Sequence, residues 1–174
     1  RWLLNLSHMV AGSYPEGVPD RWLLSPSSLS SGGELGRFRD RAPALGLDLR
    51  GNAGAAVLED FDGDGDLDVM IASQGADDHL RYFRNDGDGT FTERTEAAGL
   101  EGLTGGLNLE QADYDNDGDV DVLVLRGGWQ GRGWPNSLLR NDGDGTFTDV
   151  TERAGLLSYH PTQTAAWGDA DNDG

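Results

Sequence analysis

The chain has no cysteine. Disulfides and thiolate metal sites are therefore excluded, although this leaves the compartment open. It has no apolar stretch approaching the roughly 20 residues that a bilayer-spanning helix needs. Basic residues are scarce: 13 Lys and Arg stand against 31 Asp and Glu, giving a formal net charge of −18. A surface of that sign repels phosphates, which argues against nucleic acid as a partner. Nucleophile signatures are also missing, since there is no G-x-S-x-G and no H-E-x-x-H. The three histidines, His8, His79 and His160, fall in unrelated contexts and read as surface or packing residues. Glycosidase chemistry needs one carboxyl kept protonated in an apolar niche. The acidic residues here lie in polar turns that favour the ionised form. Glycine is abundant, with 27 residues, but at repeated positions rather than in a low-complexity run, so disorder is not expected.

What the chain does have is three acidic loops of one pattern, D-x-D-x-D-G-x-x-D. The first two are complete, at 60–68 and 113–121, and the third begins at Asp169 and stops at Gly174. Each complete loop carries five aspartates: Asp60, Asp62, Asp64, Asp66 and Asp68, then Asp113, Asp115, Asp117, Asp119 and Asp121. The third supplies Asp169, Asp171 and Asp173. Two carboxylates about 4 Å apart repel by roughly 1 kcal/mol even in bulk water. A calcium ion relieves that repulsion and takes six to eight oxygen ligands. Positions 1, 3 and 5 can point inward, glycine at position 6 permits the sharp turn, the carbonyl at 7 can contribute, and the aspartate at 9 closes the shell. The plainer alternative is an acidic turn without an ion, but the recurrence of the spacing with its glycine favours the metal.

The flanks show what kind of loop this is. An EF-hand requires Glu at position 12 and a helix on each side, whereas position 12 is Ile71 in the first loop and Val124 in the second. Short aliphatic runs of strand length lie on either side: 55–58 and 67–73, then 107–112 and 120–125, with 163–167 before the third loop. Each loop is thus expected to join the strands of a hairpin. A second motif, R-N-D-G-D-G-T-F, occurs at 84–91 and 140–147. Its Asn-Asp-Gly and Asp-Gly steps supply the positive φ angles of tight β-turns. That chemistry accounts for Asp86, Asp88, Asp142 and Asp144 without an ion. Phe38, Phe91 and Phe147 each begin a block ending in Gly-Leu, and each stands 22 residues before the first Asp of the next loop. The periods are 53 and 56 residues, the longer one carrying a Gly- and Trp-rich insertion at 127–135. Four short strands per repeat without helices predict an all-β fold of β-propeller blades.

On these residues the sequence resembles the FG-GAP/VCBS repeat family of integrin-α-like β-propellers. The wording at 113–121 and 139–151 is close to that family's pattern. The sub-group it most resembles is the bacterial ASPIC/UnbV-associated relatives of cartilage acidic protein. The resemblance covers about 38–174 well and 1–37 weakly. It implies a seven-bladed propeller, calcium in the hairpin loops, and an extracellular or cell-envelope location, whether secreted, periplasmic or surface-held. It also implies a module for adhesion, binding a protein or carbohydrate ligand, with calcium in a structural role. A propeller-fold hydrolase or lyase with its active site outside this sequence is the alternative.

Residues 1–37 differ from the rest and are assigned to a helical segment and linker, with the propeller repeats at 38–174. Trp2, Leu3, Leu6, Met9 and Val10 fall at helical spacing before Gly12 and Pro15, and a Ser/Gly stretch at 25–33 reads as a linker. Arg-Trp-Leu-Leu occurs at 1–4 and again at 21–24, by chance or as a short second helix. Asn5 heads a formal glycosylation sequon that its apolar helix makes accidental. Trp129 and Trp134, in the insertion with Arg132, suit either packing between blades or contact with a ligand. Trp167 is expected in the core. The chain starts with Arg and stops inside a repeat, so it is expected to be part of a longer protein. Open inter-blade faces lined by Val57, Val69, Ile71, Leu123, Leu125 and Trp167 are expected to promote self-association.

Overall fold

The computed structural model describes residues 1–29, 39–75, 77–127 and 134–169. It divides into two compact units, Arg1–Arg39 and Asp40–Gly174. In the first, helix α1 spans Trp2–Val10, and Gly12 follows it at φ +68°. Its apolar residues are largely exposed, and its anchor is polar. Asn5 is fully buried; its Nδ2 donates to the carbonyls of Arg1 and Trp22, and its Oδ1 accepts from the Leu24 amide. The second Arg-Trp-Leu-Leu copy is a short helix only in its first half: a 3-10 helix at Asp20–Trp22 leads into extended backbone that this asparagine holds. The sequon asparagine is spent on internal hydrogen bonds. A single helical turn, α2 at Pro26–Leu29, begins within the expected linker; residues 30–33 of that linker, and Phe38, lie outside the described residues.

The second unit contains, among the described residues, two four-stranded antiparallel sheets in simple meander order. The first is β1 (Ala53–Glu59), β2 (Asp68–Ser73), β3 (Arg81–Asn85) and β4 (Phe91–Glu93). The second is β5 (Asn108–Ala112), β6 (Asp121–Leu125), β7 (Ser137–Asn141) and β8 (Phe147–Asp149). These are four-stranded sheets of the kind that form β-propeller blades. The acidic loops close the β1–β2 and β5–β6 hairpins, whose last pairs are Glu59 with Asp68 and Ala112 with Asp121. The N-D-G-D-G-T turns close β3–β4 and β7–β8, as expected.

Each Phe-to-Gly-Leu block adds a helical turn that strand patterning did not anticipate. The first contains α3 at Ala42–Leu45, ended by Gly46 at φ +82°. In the later copies Ala98 donates its amide to Arg94 and Ala154 donates to Val150. Gly99 (φ +75°) lets its turn lie against the next repeat: a Cβ there would sit 3.1 Å from the Phe147 carbonyl. The Phe147 amide in turn donates to the Ala98 carbonyl.

The core lies between the sheets. Val57, Met70, Ala72, Leu80 and Tyr82 from the first repeat pack with Leu109, Val122, Val124, Leu139 and Phe147 from the second. Strand alternation then corrects the expected list of inter-blade residues. Val57 belongs to this core and is 8% exposed. Val69 and Ile71 point to the opposite face of the first sheet, because their neighbours Met70 and Ala72 occupy the inner one. Leu123 and Leu125 likewise face away from the first sheet, alternating with Val122 and Val124. Val69 and Leu125 are buried rather than open.

Three expectations about aromatics and strands change. Trp167 is 37% exposed and stacks on Tyr114 at a centroid distance of 6.3 Å. It is not core. Residues 163–167 form no strand; in the two complete repeats the corresponding strand pairs with the one after its acidic loop, a pairing not found for 163–167 among the described residues. Trp134 is 41% exposed rather than packed between sheets, and Trp129 lies outside the described residues.

Because the core joins both sheets, truncating Leu139, which is fully buried, should cost about 2–5 kcal/mol. Leu58→Ala, at a position 54% exposed, should change stability by less than about 0.5 kcal/mol. Urea unfolding followed by circular dichroism checks both. Equal midpoints for the two variants would place the core elsewhere.

Candidate metal centres

Each acidic loop is shaped by its own backbone before any ion is considered. Asp60 accepts the amides of Asp64 (3.1 Å) and Gly65 (2.9 Å), and Asp64 accepts that of Asp66 (2.9 Å). The second loop repeats this: Asp113 accepts from Asp117 (3.1 Å) and Gly118 (3.1 Å), and Asp117 accepts from Asp119 (3.0 Å). These local bonds curl the loop so that alternate carboxylates converge. Position 6 is left-handed as expected, with Gly65 at φ +91° and Gly118 at φ +98°. Position 4 is left-handed too, with Gly63 at φ +73° and Asn116 at φ +58°. Only glycine and, at small cost, asparagine or aspartate adopt that conformation readily. The third loop has Asn172 at this place in the sequence, so the same signal runs through all three loops.

The curl brings one carboxylate oxygen from each of Asp60, Asp62 and Asp64 within 4.8 Å of the others, and does the same for Asp113, Asp115 and Asp117. Positions 1, 3 and 5 therefore meet as the spacing predicts. Position 7 does not join them. Asp66 lies toward the β3–β4 turn, where a Cβ on Gly87 would meet its Oδ2 at 2.9 Å, and Asp119 lies in the same way against Gly143. Position 9 is fully buried beneath the loop. Asp68 accepts from the Phe61 amide (3.2 Å), the Tyr82 hydroxyl (2.7 Å) and the Asn85 amide (2.7 Å). Asp121 accepts from the amides of Tyr114 (3.0 Å) and Asn141 (2.9 Å). This aspartate thus ties the loop to the third strand of its own sheet, a role that the ligand spacing alone did not convey. Asp169 is exposed, while Asp171 and Asp173 lie outside the described residues.

The electrostatics show strain that a cation would relieve. Burial, then the charge of Asp64, raises the Asp62 carboxyl above its ordinary value. Burial raises Asp68 despite its hydrogen bonds, and pushes Asp121 up to about 6. Close by, the turn aspartates behave oppositely. Arg84 beside Asp86, and Arg140 beside Asp142, hold those carboxyls below the usual range. Asp88 and Asp144 accept from the amide and hydroxyl of Thr90 and Thr146. The turn residues are therefore engaged as turn chemistry requires. The converging oxygens of Asp60, Asp62 and Asp64, and of Asp113, Asp115 and Asp117, fit a hard cation. All are carboxylates, without the nitrogen or sulfur donors that select zinc or copper.

A four-stranded antiparallel sheet with an aspartate-rich first hairpin, repeated in register, defines a propeller-type repeat. The family model described as FG-GAP-like repeat matches residues 60–124, which run from the first loop through the second and into β6. The chain is also similar to Cartilage acidic protein 1 of Xenopus tropicalis, with 32% identity over 96 residues. That alignment covers 52% of this chain and 14% of the relative.

Asp121 sets a pH dependence when no ion is bound. Its folded value of about 6 lies above the ordinary aspartate value, so the folded chain holds this proton more tightly than the unfolded one. The stabilisation is complete below the unfolded value and is lost as pH rises through the folded one. In chelator, the melting temperature should therefore fall between about pH 4 and pH 6.5, as read by circular dichroism. A melting temperature that climbs across this window would contradict the burial argument.

Proposed function

We propose that this chain is part of a calcium-stabilised β-propeller module, extracellular or held in the cell envelope, that binds a protein or glycan partner and performs no chemistry of its own. The observation that carries this reading is the pair of three-carboxylate clusters at equivalent places in two repeats. The FG-GAP-like match adds support, as does a relative named for cartilage and for its acidity. No helix among the described residues is long and apolar enough to cross a membrane.

Asp60, Asp62 and Asp64 would hold one ion, and Asp113, Asp115 and Asp117 a second. The ion supplies positive charge that lets neighbouring carboxylates stay ionised side by side. The chain's own residues do the rest: loop amides orient the carboxylates, and Asp68 and Asp121 fix each loop to its sheet. Asp169, with Asp171 and Asp173, would begin a third site of the same kind. Calcium suits the irregular all-oxygen set better than magnesium, which demands near-octahedral geometry and gives up its waters reluctantly. Trp134, at the edge of the Gly-rich insertion, is 41% exposed and is proposed to meet a partner.

Titration calorimetry tests the calcium reading. Two sites are expected, with dissociation constants from micromolar to the millimolar range of extracellular modules. Asp62→Ala and Asp115→Ala should each remove one of them. Magnesium should compete poorly. No heat of binding at millimolar calcium would sink the proposal.

A further inference from the structure

Phe61 lies between two candidate ligands, Asp60 and Asp62, and the second repeat holds it from three directions. Its carbonyl accepts the Gly145 amide (3.1 Å) and the Asn141 Nδ2 (3.1 Å). Its ring is 1% exposed and meets Phe147 edge-on at 5.4 Å, with Tyr82 of its own repeat at 5.9 Å. Asn141, Gly145 and Phe147 all come from the second N-D-G-D-G-T-F motif.

The first copy of that motif, in the first described sheet, keeps its asparagine contacts within its own repeat. Asn85 and Asn141 both donate their amides to the position-nine aspartate of their own loop, and both accept from the glycine two residues on. Their side-chain Nδ2 groups part company. Asn85 donates to Leu67 in its own repeat (3.1 Å), whereas Asn141 reaches back 80 residues to Phe61. The glycines diverge likewise. Gly89 and Gly145 have nearly the same backbone, at φ +87° and +77°. A Cβ on Gly89 would meet nothing within 4 Å, while one on Gly145 would meet Asp62 Cβ and Tyr82 Oη, both at 3.2 Å. Turn formation alone does not explain this difference, because the two turns are identical in sequence.

We propose that the loop at 60–68 is a site shared between repeats, in which Asn141 and Gly145 are positioning residues that set the spacing of Asp60 and Asp62 through the Phe61 carbonyl. This rests on the calcium reading above and deepens it. An ion in the first loop and the docking of the second repeat are then linked: each strengthens the other by the same factor, as thermodynamic reciprocity requires. The second loop has no such clasp among the described residues; there Tyr114 stacks on Trp167.

The test is calcium titration of the full chain in two backgrounds. Asp115→Ala leaves the first loop to be measured, and Asp62→Ala leaves the second. In the first background, Asn141→Ala and Gly145→Ala should each weaken calcium binding roughly threefold to tenfold, the range expected for losing one hydrogen bond. Gly89→Ala carries the same turn strain without the contact and should leave first-loop binding within about twofold. In the second background, Asn141→Ala and Gly145→Ala should leave the affinity within about twofold, which also reports that the second repeat is folded. Amide hydrogen exchange gives an independent reading in the unmutated chain: calcium should slow exchange at Gly145, and Asp62→Ala should abolish that slowing. Unchanged first-loop affinity in both variants, or Gly145 exchange insensitive to calcium in a chain that binds it, overturns the shared site alone. A chain that binds no calcium overturns the calcium reading and this proposal together. If a variant loses both loops by misfolding, the exchange measurement decides.

Discussion

Mutual repulsion among aspartates is the constraint from which the second unit's architecture follows. Five carboxylates occupy each nine-residue loop, and they stay close because the backbone amides that curl the loop end on them. That curl forces left-handed residues at positions 4 and 6, which Gly63, Asn116, Gly65 and Gly118 provide. It also requires a floor. Asp68 and Asp121 supply one by going fully under and accepting amides from the neighbouring third strand of their sheet. Burial disfavours the charge on both carboxyls and raises them above their ordinary values. A divalent ion held by the three converging carboxylates of each loop, as proposed, would ease the conflict between burial and charge.

The same loops organise the apolar core. Phe61 drops from the first loop into a three-ring cluster with Tyr82 and Phe147, all edge-to-face with centroids between 5.4 and 5.9 Å. Tyr82 also donates its hydroxyl to Asp68. Charged loop, buried carboxylate, aromatic cluster and second sheet thus form one continuous set of contacts. The first loop therefore acts as a joint between the sheets as well as a surface feature.

Much of this was legible in the sequence because its devices are local. The acidic spacing, the Asn-Asp-Gly turns and the aliphatic runs each act within about ten residues, and the eight strands fall where these signals place them. Non-local choices were less legible. Nothing in the runs around Val69 or Leu123 says which face meets the other sheet; that depends on register, and a shift of one residue reverses it. Trp167 has the size of a core residue, but it stacks on Tyr114 and stays 37% exposed. The block ending in Gly-Leu shows the same dependence. Leu100, from the turn between the two sheets, is fully buried, whereas its counterpart Leu156 is 44% exposed. The divergent use of Asn85 and Asn141 was invisible because their surrounding residues are the same.

The most direct test of the joint is differential scanning calorimetry of the chain in EDTA and in calcium at a hundredfold excess over its dissociation constant. Ions that bind only the folded loops add about 2.7 kcal/mol per site under those conditions. For a unit of this size that raises the melting temperature by several degrees or more, together with a single sharpened transition for both sheets. Superimposable traces in the two buffers would mean that the aspartate loops hold themselves together without an ion, and that the sheets are joined by the apolar core alone.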